Sequence, residues 1–130
     1  NWYFDQNRKA GINPKGATRD GHSLDGVIPS DQRRCGEYSW PPCATNYIHG
    51  AADGMLLSFH MLSRKGYDVW NWGDKAALRQ YQWKYAVNQP PYGEFKWQIP
   101  IVNKAYGTTF AGTDPGATGK NFAFAAWWSQ

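Results

Sequence analysis

The chain is 130 residues long with a formal net charge of +4, so it is one domain or part of a larger one, and its partners are expected to be anionic. Eight Trp, eight Tyr and six Phe beside only 18% charged residues exclude a disordered chain, and basic runs no longer than pairs such as Arg33-Arg34 and Arg64-Lys65 argue against a nucleic-acid binder. No stretch approaches the roughly 18 apolar residues of a membrane span, and the opening Asn1-Trp2-Tyr3 has no signal-peptide pattern and reads as a processed or truncated start.

Residues 1–44 are rich in Gly, Pro, Asn and Asp and show no helical period, so they are expected to be irregular with short turns. Within residues 19–49, Arg33 and Arg34 are adjacent, Tyr38 and Trp40 follow, and Tyr47 and His49 sit two apart. Cys35 and Cys43 bracket Tyr38, Trp40, Pro41 and Pro42. A bridge between them would contribute roughly 2.5 kcal/mol and pin the aromatic tip; two free thiols are the alternative. The histidines have no ligand spacing that would make a zinc tetrad, so neither a metal nor another cofactor is expected. A bridge implies an oxidising compartment, so the protein is expected to be secreted or periplasmic.

From Asn46 the pattern changes. Ile48, Ala52, Met55, Leu56, Phe59 and Leu62 recur at spacings of three and four, which predicts a helix of about five turns, capped by Thr45 or Asn46 and stopped at Gly66. The aromatic run Tyr67-Asp68-Val69-Trp70-Asn71-Trp72-Gly73 connects to a second helix from Lys75 to about Val87, with Asp74 as N-cap and Ala77, Leu78, Tyr81 and Tyr85 facing inward. Pro90-Pro91 should end it, and Pro100 should confine a third helix to a short element around Val102 to Ala105. The stretch 107–119 reads as turns, and Phe122, Phe124, Trp127 and Trp128 form an apolar terminus that needs cover. The expected organisation is therefore 1–44 irregular, 45–106 helical and 107–130 a tail. So long an irregular segment suits the C-terminal part of a larger helical domain, covered by a preceding part of the same protein or by a second copy.

Several of these segments carry a resemblance. Tyr47-Ile48-His49-Gly50, the helix 51–66, Gly66-Tyr67-Asp68-Val69-Trp70 and Leu78, Tyr81, Lys84 and Tyr85 resemble the last helical hairpin of alginate-lyase-like polysaccharide lyases. There a helix carrying a reactive Tyr or His is followed by a G-x-D-x-W/Y connection and another helix. The run from Asp25-Gly26 through Pro29 and Asp31 to Arg33 looks like the family's DG-x-x-P-x-E-x-x-R approach, with Asp31 near the usual Glu. The match covers most of residues 20–88. It implies a mainly α fold, helical hairpins of an incomplete (α/α) toroid with a long irregular N-terminal segment, and β-elimination on a uronate polymer. The complete ring needs more hairpins than 130 residues hold, and the Asn-Asn-His signature of alginate-specific members does not occur, so the expected substrate is an acidic polysaccharide in general.

The residues can be matched to that chemistry on their own terms. Elimination across a uronide removes the proton beside the carboxylate, stabilises the enolate-like charge and protonates the departing oxygen. Arg33 or Arg34 can hold the carboxylate bidentately. Tyr47, its phenolate favoured by a neighbouring guanidinium, is the expected proton-transfer residue, with His49 or His22 as partner. Trp40 and Tyr38 can stack on sugar rings, Asn46 can hydrogen-bond the carboxylate, and Glu37 lies in the same strip. Each also has a structural alternative: Tyr47 as a staple at a helix start, His49 and His60 as core histidines, the arginines as a solvated pair, Tyr38 and Trp40 as core aromatics. Two other functions fit the composition, a non-catalytic carbohydrate-binding module and a glycoside hydrolase drawing a carboxylate pair from Asp20, Asp25, Asp31 and Glu37.

Overall fold

The computed structural model describes residues 2–3 and 11–112. The apolar terminus at 122–128 and the turn-rich stretch 113–119 lie outside the described residues. The described chain is mainly helical, with four α-helices: α1 (Pro29–Gln32), α2 (Tyr47–Ser63), α3 (Trp72–Ala86) and α4 (Gln98–Tyr106). Two compact units share it, one formed by Asn1–Ile48 with Asn71–Pro90 and one by His49–Trp70 with Pro91–Gln130.

In the first unit the supposedly irregular segment has structure of its own. Strands β1 (Thr18–Arg19) and β2 (His22–Ser23) pair antiparallel, Thr18 opposite Ser23 and Arg19 opposite His22. Asp20 and Gly21 between them both have positive φ, 48° and 77°, the two-residue turn whose twist matches a hairpin. Trp2, Ala17, Leu24, Val27, Ile48 and Trp83 form the core, with Tyr38 and Val87 packed against it. Ring edges meet there, Trp2 to Tyr38 at 5.2 Å and Trp2 to Trp83 at 6.5 Å between centroids. The indole N–H groups are satisfied: Trp2 donates to the Gly36 carbonyl at 3.0 Å and Trp83 to that of Ser23 at 2.9 Å.

Arg79 ties this unit together. Its guanidinium donates to the carbonyls of Asn13 (3.1 Å), Gly73 (2.8 Å) and Asp74 (3.0 Å) and pairs with the Asp25 carboxylate. Asp25 also accepts the Gly16 N–H at 2.9 Å. Gly26, with φ at +82°, lies directly on the Arg79 backbone: a Cβ there would sit 2.3 Å from the Arg79 carbonyl oxygen.

Asp74 does not cap α3. Gly73, Asp74 and Lys75 are left-handed, with φ between 55° and 59°, and the right-handed helix runs from Ala76. Arg79 accounts for this start, because its guanidinium collects the carbonyls that the left-handed turn presents. Ala77 and Tyr81 are buried as the spacing predicts, but so are Arg79, Gln80, Trp83 and Lys84, the last lying 4.4 Å from the Tyr81 ring centre. The helix stops before Pro90: Asn88 turns left-handed at φ 56°, a common helix ending.

In the second unit α2 ends at Ser63, and the turn that follows closes at the expected Gly66 (φ +88°). Ala52 and Leu56 on its inward face are buried, as are Val69, Phe95, Trp97, Ile99, Ile101 and Val102 of this unit. Buried Asp53 accepts Trp97 Nε1–H at 3.0 Å and the Gln98 amide at 2.6 Å. Trp70 meets Phe59 and Tyr106 edge to face, at 5.5 and 5.7 Å. The third helix is longer than expected because Pro100 falls in the first turn of α4, where a backbone N–H has no intrahelical partner to lose.

Candidate functional site

Pro29 at the first position of α1 starts a helix that tightens into a 3-10 turn, Arg33–Cys35. The turn leaves Arg33 and Arg34 exposed, and with Ser30, Asp31 and Glu37 they line an open pocket of about 640 Å³. Cys35 and Cys43 form the expected disulfide, with 6.2 Å between their Cα atoms. Behind it, the buried Gln32 amide donates to the Cys43 carbonyl at 2.8 Å, and the Gln89 amide donates to the carbonyls of Pro42 (3.0 Å) and Cys43 (3.2 Å).

Tyr47 opens α2. Thr45 Oγ1 accepts its backbone N–H at 3.2 Å, and the Gln80 amide reaches the Ile48 carbonyl at 3.4 Å. The Tyr47 side chain is 48% exposed, and the Arg34 guanidinium carbon lies 4.6 Å from its ring centre. A cation over an exposed phenol contributes about 0.5–1 kcal/mol, enough to bias the two groups together. Asn46, beside Tyr47, is exposed.

Other expected site residues are placed differently. His49 is 1% exposed and packs with Tyr92 and Phe95, ring centres 5.5 and 5.4 Å away, so it does not stand at the surface as Tyr47 does. Successive helical residues turn by about 100°, which carries position 49 to another face. Tyr38 is half-buried with its hydroxyl donating to the Arg19 carbonyl at 3.1 Å. Desolvation, then the Asp20 carboxylate, hold that phenol above the ordinary tyrosine range, with Arg19 opposing. Trp40 is 40% exposed and stacks flat on His22, 4.1 Å between ring centres and 6° between planes. His60 is half-buried.

The structure thus brings together Arg33, Arg34 and Glu37 around one pocket and Arg34 with Tyr47. Gln32 and Gln89 were missed, since an amide before an Arg pair or before Pro90-Pro91 reads as surface. Among the described residues no three His, Cys, Asp or Glu side chains gather to hold a metal, and no helix is long and apolar enough to cross a membrane. The disulfide fits an oxidising compartment. Comparison of the chain with protein-family models, curated sequences and solved structures gave no match.

Proposed function

We propose that this chain carries the catalytic strip of a polysaccharide lyase that cleaves a uronate-containing polymer by β-elimination. The supporting observation is the exposed phenol of Tyr47 held against the Arg34 guanidinium, with Arg33 beside it on an open pocket. Arg33 and Arg34 take the uronate carboxylate and neutralise the charge that grows on it. Tyr47 removes the proton on the carbon next to the carboxylate. The electron pair becomes a double bond to the neighbouring ring carbon, whose glycosidic C–O bond breaks. The departing oxygen takes a proton, which the proposal assigns to Tyr47 itself because His49 is enclosed. Trp40, stacked on His22, is the sugar-stacking wall. In this proposal the helices belong to an (α/α) toroid completed by a preceding part of the protein or a second copy, and the enzyme works outside the cytoplasm.

The exposed Trp40–His22 stack favours one second reading, a carbohydrate-binding module without turnover. An assay on polyuronates separates the possibilities. Absorbance of an unsaturated uronide is the result expected for the lyase. Retention without turnover marks the binding module, and reducing ends without that absorbance mark a hydrolase using Asp31 and Glu37; either outcome rejects the lyase.

A further inference from the structure

We infer that the Cys35–Cys43 disulfide, with Gln89, is the positioning device that holds Arg34 against Tyr47, so that reducing the bridge switches the site off; this rests on the lyase chemistry proposed for those two residues. Cys35 directly follows Arg34, and Cys43 lies four residues before Tyr47. The bridge therefore fastens the segment carrying the cation to the segment carrying the phenol. The Cys43 side of the link is itself held. Gln32 and Gln89 both donate to the Cys43 carbonyl, Gln89 also holds the Pro42 carbonyl, and Thr45 fixes the Tyr47 N–H. Gln89 stands just beyond α3, which ends at Ala86, so the loop is moored to a packed helix. The arginine end is different: Arg33, Arg34 and Cys35 are all exposed. Once the bridge opens, the Arg34–Tyr47 contact is left to its own weak attraction and to the Gln32–Cys43 hydrogen bond, which also spans the two segments.

Exposure of Cys35 also makes the bridge reachable by a dithiol. A thiolate of the reagent attacks one sulfur and forms a mixed disulfide, and its second thiol displaces that sulfur. The reagent leaves as a cyclic disulfide, and its two electrons and two protons remain on Cys35 and Cys43 as thiols.

The test uses the full chain and dithiothreitol. The Arg34 side-chain proton resonances, assigned with Arg34→Lys, report the Tyr47 ring beneath them through its ring current and need no substrate. Reduction is expected to return them to unshifted values while the amides of residues 76–86 keep their positions, and reoxidation to restore them. Gln89→Ala, with the bridge intact, is expected to weaken the ring shift part-way, and Gln89→Glu, which cannot donate, to match it. On a polyuronate, kcat/KM should fall on the order of a hundredfold on reduction, the scale of a small misplacement of a reacting group. A ring shift that survives reduction overturns the inference, and so does loss of the 76–86 amides, which would make the bridge a general support. A shift that responds in a protein with no turnover upholds the device and removes the lyase proposal.

Discussion

Arg79 shows how one side chain can organise a segment that lacks regular structure. It serves three carbonyls and one carboxylate, and all four come from loops or the left-handed start of α3. Arg79→Ala is expected to lower stability by about 3–5 kcal/mol in urea denaturation, since it leaves the Asp25 charge and three carbonyls unmatched. Arg79→Lys should recover little, because an ammonium lacks the planar fork. Wild-type stability in either variant would contradict this role. Gly26→Ala places a methyl group inside the Arg79 carbonyl and is expected to cost about 3 kcal/mol or more, read by the same method. Asp25-Gly26 stood out in the sequence as a motif, but its use as a structural clasp did not. Arg79 lies 54 residues away and, on a helix, reads as one more solvated cation.

At the scale of elements, spacing predicted α2 and most of α3, because a stripe of buried apolar residues leaves a period. It missed the α3 start, where a guanidinium one turn further along the same helix holds the carbonyls of the left-handed residues, and it underrated α4 by treating Pro100 as a breaker. The β1–β2 hairpin was legible in Arg19-Asp20-Gly21-His22, yet strands of two residues leave no alternation to read. Lys75, left-handed with a side chain that gains nothing from it, offers a check: Lys75→Gly is expected to raise stability by about 1 kcal/mol, and a loss of stability would contradict the left-handed start. α2 also carries a pH dependence. Burial first, then Arg64 and Lys104, hold the His60 imidazole below its ordinary value. The folded chain therefore resists a proton that the unfolded chain accepts near pH 6.5, so stability is full above that pH and declines as the pH falls through it. Melting curves between about pH 7.5 and 5 should show a smaller decline for His60→Gln than for wild type; equal declines would contradict it.

At the scale of the whole molecule, the strip at residues 19–49 was legible as a concentration of chemistry because the cation pair, the cysteines and the aromatics are close in sequence. What the sequence could not sort was which side chains share a surface. Tyr47 is exposed beneath Arg34, whereas His49 is closed in by Tyr92 and Phe95. Tyr38 turns inward to Trp2 and Trp40 outward to His22. These outcomes depend on which faces neighbouring segments cover, and local spacing carries no record of that. The function proposed for the molecule depends on Arg34 and Tyr47 acting as a pair. A double-mutant cycle on the rate of unsaturated-uronide formation, with Arg34→Ala, Tyr47→Phe and the two combined, tests that dependence directly. Elimination by the wild type is expected, with each single change costing nearly as much as both together. Absence of the unsaturated product, or losses that simply add, would contradict it.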